Sequence, residues 1–275
     1  KIAIMYMNGD GVPEDDIKAL EWLEKAAEQG SPEAMHLIAM TYHSGGNGID
    51  KDMAKAMEWY QRGAESGNGE SMFRLGTLYA SGNENDPNNI KAAEWLQRAA
   101  EAGHVEAMHS LGLMHKAGIL GPIDDETVRQ WYQKAAENGH IESMFQVGLA
   151  HFKADNAKEG GEWLWKAAEN GHAEAMFRIS RMFTQAGDKD QASAWLGRAA
   201  KNGSPDAMFL VGLTFLQVDE NSQALDWFLK ASEGGNADAM VMIGRMYQEG
   251  LAVPKDTSNA LQWLHRAAEV GSGEA

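Results

Sequence analysis

The 275-residue sequence contains no cysteine, only six prolines, and just 24 lysines and arginines against 40 acidic residues. Lack of cysteine excludes disulfides, thiolate metal sites and a cysteine nucleophile, and leaves the compartment open. The shortage of basic residues gives a net charge of −16, so a phosphate-binding surface would have to be a local exception and nucleic acid is a poor partner class. No apolar run approaches the ~20 residues that a membrane span needs. What is present, 44% apolar and 23% charged residues, is enough to bury a core and argues against wholesale disorder. Length alone would suggest about two domains.

An internal period replaces that guess. Tryptophans recur at Trp22, Trp59, Trp95, Trp131, Trp163, Trp195, Trp227 and Trp263, spaced by 32 to 37 residues. Thirteen residues after each of the first seven comes a methionine, from Met35 to Met240. A glycine column, Gly30 to Gly271, runs between them. Each unit reads as two helices. Helix A, as in Ser71 to Tyr79, places apolar or small residues on one face of a 3.6-residue period. Its sixth-position glycine lets a neighbouring helix come close. Helix B, as in Lys18 to Glu28, carries the tryptophan and paired alanines, and burial of each tryptophan is expected to contribute ~2–3 kcal/mol. The glycine after helix B suits a left-handed C-terminus, and Ser31-Pro32-Glu33 and Ser204-Pro205-Asp206 read as N-caps with proline at the first helical position.

The predicted array is a partial repeat over 1–32, then repeats 33–69, 70–105, 106–141, 142–173, 174–205, 206–237 and 238–273. The three 32-residue units shorten the A–B loop and lack its glycine. The chain starts inside a helix A and ends at Glu274-Ala275, the first residues of another, so a longer parent protein is expected.

Taken together, Ala-Met-x-x-Leu-Gly-x-x-Tyr-x-x-Gly, a loop, then Lys-Ala-x-x-Trp-x-x-Lys-Ala-Ala-x-x-Gly resembles the Sel-one-like repeat (SLR), a relative of tetratricopeptide repeats. The resemblance covers nearly all of the chain. It implies an all-α, right-handed α-solenoid that acts as a non-catalytic adaptor, in bacterial envelope signalling and host contact or in eukaryotic ER quality control. A periplasmic or cell-envelope location is the expectation it favours.

The acidity is largely built into the repeat. Acids occupy the first turn of helix A, from Glu33 to Glu274, and all but one position late in helix B, from Glu28 to Glu269. Lys25, Arg62, Arg98, Lys134, Lys166, Arg198, Lys230 and Arg266 precede the second column by three residues, spacing that predicts ion pairs on a solvated face. Nine histidines invite a metal reading, but no His-Glu-x-x-His or comparable spacing occurs. His104, His140 and His172 take the inter-repeat corner; His115 and His151 substitute for aromatics; His36 and His109 share a column. The amide-rich stretch Asn83 to Asn89 reads as a polar loop rather than a calcium site. Neither a phosphate loop nor a dinucleotide fingerprint or serine elbow is present, so no cofactor and no catalytic residue is assigned.

The variable positions of helix A remain. The columns through His36, Leu37 and Met40 lie opposite the conserved-pattern face at 100° per residue, and the resemblance implies that they line a concave groove. They hold Phe73, Phe145, Phe177 and Phe209 beside Arg74, Arg178, Arg181 and Arg245. Arginines donate in a fork to carboxylates or carbonyls and aromatic faces anchor apolar side chains, which is the chemistry of a peptide groove. Packing between adjacent units is the competing reading of the phenylalanines. The expected function is a scaffold that binds a peptide or protein segment there, with Arg178 and Arg181 beside Phe177 at its centre; the alternative is a structural spacer or assembly module in a larger chain.

Overall fold

The computed structural model describes residues 1–80 and 86–271. Among them every regular element is helical apart from one isolated bridge, Gly46 to Ile49, in a loop. The chain divides into two compact units, Lys1–Ser143 and Met144–Ala275.

The first unit holds α1 (Ile2–Asn8), α2 (Asp16–Glu28), α3 (Pro32–Ser44), α4 (Met53–Glu65), α5 (Gly69–Tyr79), α6 (Asn88–Glu101), α7 (Val105–Lys116) and α8 (Asp125–Glu137). The second, from Met144 within α9 (Ile141–Lys153), holds α10 (Ala157–Glu169), α11 (Ala173–Ala186), α12 (Lys189–Lys201), α13 (Pro205–Leu216), α14 (Asn221–Glu233), α15 (Ala237–Glu249) and α16 (Thr257–Gly271). Odd-numbered helices are the A helices of the repeat and even-numbered ones the B helices. Each A helix from α3 to α7, and from α11 to α15, packs on the B helix before it and the one after it. This is an all-α helical repeat solenoid.

The punctuation follows the sequence. Ser31 and Ser204 accept from the backbone N–H of Ala34 and Ala207, with proline at the first helical position. The glycines from Gly30 to Gly235 hold φ between 84° and 99°, the left-handed region that a Cβ disfavours. Gly271 differs: α16 runs through it. The short A–B turns also use left-handed residues, but only one is glycine. Asp155 (φ 55°), Gly187 (φ 80°) and Asp219 (φ 60°) make them, so the expectation that these turns lack a glycine fails at Gly187. Aspartate tolerates this region better than most side chains.

The sixth-position glycine of helix A sets how closely the two helices of a repeat approach. A Cβ on Gly112 would come within 2.7 Å of Tyr132 Cε1, and one on Gly212 within 2.6 Å of Phe228 Cε1. The core therefore centres on the residue after the tryptophan: Leu23, Tyr60, Leu96, Tyr132, Leu164 and Phe228 are all buried.

The tryptophans themselves correct the sequence-based reading. Only Trp195 is fully buried; Trp22 is 40% exposed, and the rest of the column is half-buried. Each instead carries a cation on its face. The eight basic side chains placed three residues later lie 3.9–4.9 Å from the ring centroids, with Arg62 over Trp59 and Arg198 over Trp195 the nearest. Their long stems shield the ring while the charge stays hydrated. In three repeats the late helix B acid accepts from a glutamine four residues earlier, as in Gln97 to Glu101. Trp195 is buried because the ninth tryptophan, Trp165, stands edge-on against it at 5.0 Å and donates its own N–H to Glu169.

Candidate functional site

Helix A begins at a corner, and the corners show what the phenylalanine column does. His104 is the N-cap of α7: its Nδ1 accepts from the Ala107 N–H at 3.3 Å. The ring proton is thereby on Nε2, which donates to Glu70 of the preceding helix A at 2.8 Å. The same ring lies stacked on Phe73, 4.4 Å between centroids and 19° between planes. His140 and His172 cap their helices in the same way and stack on His109 (4.1 Å, 24°) and Phe145 (4.4 Å, 21°). The fifth residue of one helix A and the N-cap of the next therefore form one aromatic contact between repeats. The signal in the sequence is an aromatic ring followed 31 or 27 residues later by histidine, a pairing that the corner position of the histidines does not by itself reveal.

Where the corner holds serine or asparagine, this column packs elsewhere. His36 bonds Ser71 Oγ at 3.1 Å and tilts onto Tyr60. Phe209 meets Phe228 at 5.8 Å. Phe145 and Phe177 are each only 7% exposed. These two rings correct the groove expectation: they fill space between helices, and the exposed members of this face are Arg178, Arg181 and Arg245 in the second unit and include Met40, Arg74 and Leu113 in the first.

Two of the arginines are already engaged. Arg74 Nε donates to Glu70 and Arg178 Nε to Glu174, both at 3.0 Å and one turn earlier on the same helix. The Arg178 guanidinium also lies 5.5 Å from the Phe145 ring, which joins α11 to α9 inside the second unit. Arg74 extends over Phe73 at 6.0 Å. Nε occupancy leaves the terminal nitrogens of both guanidinium groups as donors. Arg181 and Arg245 are exposed, and among the described residues no ion pair or hydrogen bond holds either of them.

The two glutamates titrate in opposite directions. Burial is the largest influence on each and pushes the pKa up. At Glu70 the His104 hydrogen bond and the nearby Arg74 charge outweigh it, so the carboxyl ends below its usual range. At Glu174 burial, aided by the nearby Asp206, outweighs Arg178, so the carboxyl ends above it.

Of the remaining histidines, His43 stands edge-on to Tyr60, His115 lines an open cleft of about 540 Å³ with Ile90, Ile119, Leu120 and Trp131, His151 lies 3.3 Å from Glu159, and His265 is exposed. Among the described residues no three histidine or acidic groups converge on a possible metal position. Asn83 and Glu274 lie outside the described residues.

The fold and these corners define a helical-repeat protein whose residues that differ from repeat to repeat share one face of each helix A. The Sel1 repeat family model matches residues 1–31, 32–68, 69–104, 205–236 and 237–272, more than half of the sequence. The chain belongs to the Sel1 repeat family. Its middle, residues 118–194, matches instead a family described as plant tetratrico peptide repeats; the stretch the Sel1 model leaves out covers the repeat 106–141 and two of the three shortened units, while the third, 206–237, matches Sel1. Among solved structures, a Sel1 repeat protein from Oxalobacter formigenes is similar at 29% identity and a TM-score of 0.75, over 98% of this chain and 81% of that one. The protein c5321, a protective antigen of uropathogenic Escherichia coli with an SLR fold, is similar at 27% identity and a TM-score of 0.65, over 98% and 68%. No curated protein matches by sequence. The family suggests a protein–protein interaction scaffold, and no helix among the described residues is long and apolar enough to cross a membrane.

Proposed function

We propose that this protein is a non-catalytic adaptor that holds a peptide or protein segment on the helix A face of its second unit, around Arg178 and Arg181. One observation carries the reading. In a chain of net charge −16, that face presents exposed arginines beside the half-buried Leu210, Leu213 and Met242. A guanidinium kept in water next to apolar surface costs little in the free state and gains hydrogen bonds when a carboxylate or carbonyl arrives.

The test is capture of a partner from an extract by the chain, followed by measurement of its affinity for the purified partner. Arg178→Glu with Arg181→Glu is expected to weaken binding at least tenfold with an unchanged helical circular dichroism spectrum. Undiminished affinity would remove the site from this face. Absence of any partner, together with self-association in sedimentation, would favour the assembly-module reading, which the exposed Ile2, Ile4 and Met5 of α1 support.

An envelope location is part of the proposal, supported by the family resemblance and by a protective antigen among the similar structures. Cell fractionation checks it, and recovery solely with cytosolic markers would overturn it.

A further inference from the structure

The arginines of the second unit do not form one continuous basic strip. Along α9, α11, α13 and α15, the position near the middle of each helix A is Leu149, Arg181, Leu213 and Arg245 in turn. The two arginines are exposed and the two leucines half-buried, so the row alternates aliphatic and cationic from one repeat to the next. Seven residues towards the N-terminus of α11, α13 and α15 runs a second row, Glu174, Asp206 and Asp238, which lies on the same face at 100° per residue. At 1.5 Å per residue the two rows are about 10 Å apart along the helices.

That separation decides which arginines an acidic ligand meets. Arg178 lies between the rows and is tied to Glu174, with Asp206 adding negative charge beside that pair. Arg181 and Arg245 stand in the far row, where no acidic side chain shares the position. Successive helix A corners touch directly: Asn236, the N-cap of α15, donates to Asp206 of α13 at 2.7 Å, and Arg178 of α11 reaches Phe145 of α9. Packed helices stand about 8–10 Å apart. A chain in the polyproline II conformation advances about 3.1 Å per residue with three residues per turn, so it crosses one repeat in roughly three residues and turns every third side chain to the same side.

Resting on the adaptor reading above, we infer that the far row of the second unit selects a peptide in the polyproline II conformation in which two acidic residues stand about six apart with an aliphatic residue midway. The acids pair with Arg181 and Arg245, and the aliphatic side chain lies on Leu213. The Glu174–Asp206–Asp238 row fixes specificity from the other side, because it repels a peptide whose acids are displaced across the face.

The probe is a fluorescein-labelled peptide carrying Glu-Ser-Gly-Leu-Ser-Gly-Glu within a Ser/Gly frame, read by fluorescence polarisation against the whole chain. Two controls have the same composition, one with the glutamates three apart and one with them adjacent. The six-spaced peptide is expected to bind with a sub-millimolar Kd, at least fivefold tighter than either control, and to weaken as salt rises from 50 to 300 mM. Arg181→Glu with Arg245→Glu should reduce its affinity at least tenfold, while Lys51→Glu, at an exposed loop position of the first unit, leaves it unchanged. Equal affinity for all three spacings, no binding up to 1 mM, or insensitivity to the Arg181/Arg245 pair would overturn the inference. A captured partner that still depends on Arg178 and Arg181 would then leave the broader adaptor reading standing.

Discussion

Replacing Phe228 by alanine is expected to destabilise the second unit by about 3–5 kcal/mol, near the upper end for a single core truncation. The ring is fully buried, packs against Phe209 and fills the space opposite Gly212, which has no Cβ to move into the void. A loss of that size corresponds to a melting temperature lower by roughly 10 °C. The reciprocal change, Gly212→Ala, forces a Cβ to 2.6 Å from the ring edge and is expected to cost ~1–3 kcal/mol through overpacking. In the Phe228→Ala background that second cost should largely vanish, because the atoms it would overlap are gone. Thermal or urea unfolding of the four variants gives the cycle. Strict additivity would show that the glycine does not set the distance between α13 and α14.

Acidification from pH 7 to pH 5 is expected to remove about 2 kcal/mol of stability through His109 alone. Burial, helped by the neighbouring His140 and Lys116 and opposed by Glu142, holds this imidazole down at about 4 in the folded protein, from 6.5. The unfolded chain therefore binds the extra proton between those values. Stability is complete above pH 6.5 and falls as the pH drops towards 4. His140, stacked on the same ring between Glu106 and Glu142, is shifted in the same direction, again mainly by burial, and so is His36 beside Ser71. Glu174, raised by burial, opposes the trend at lower pH, and Glu70, held low, reinforces it. His109→Phe recreates the ring pair already found as Phe73 with His104 and Phe145 with His172. It should lose the hydrogen bond to the buried Ser143, at about 1 kcal/mol, yet shrink the pH 7 to 5 loss by about 2 kcal/mol. Melting curves across that range decide it, and an unchanged slope would place the acid-sensitive group elsewhere.

Both predictions come from contacts between helices, and the sequence showed the helices far better than the contacts. The repeat, the two-helix unit, the caps at Ser31 and Ser204 and the left-handed glycines were all legible, because each depends on residues within one turn of each other. The place of the tryptophans was not. Large apolar residues at regular spacing read as core, but the glycine on helix A brings the next residue of helix B, Tyr132 or Phe228, into the interior instead. The tryptophan is turned towards the surface and covered by its own helix's lysine or arginine, which spacing alone pairs with a glutamate.

The candidate site divides along the same line. That Arg178, Arg181 and Arg245 share a helix face follows from the 100° period and needs nothing but their numbers. Which of them is already bonded depends on Arg178 reaching back one turn to donate to Glu174 at 3.0 Å, and whether a phenylalanine is surface or filler depends on what the next repeat sets against it. Local geometry is periodic, so the sequence by itself determined the repeat, its helices and the residues that share each face. Contacts between repeats join residues 27 to 35 apart, so only the tertiary structure decided that the phenylalanines pack, that His104, His140 and His172 join the repeats, and that Arg181 and Arg245 stand free.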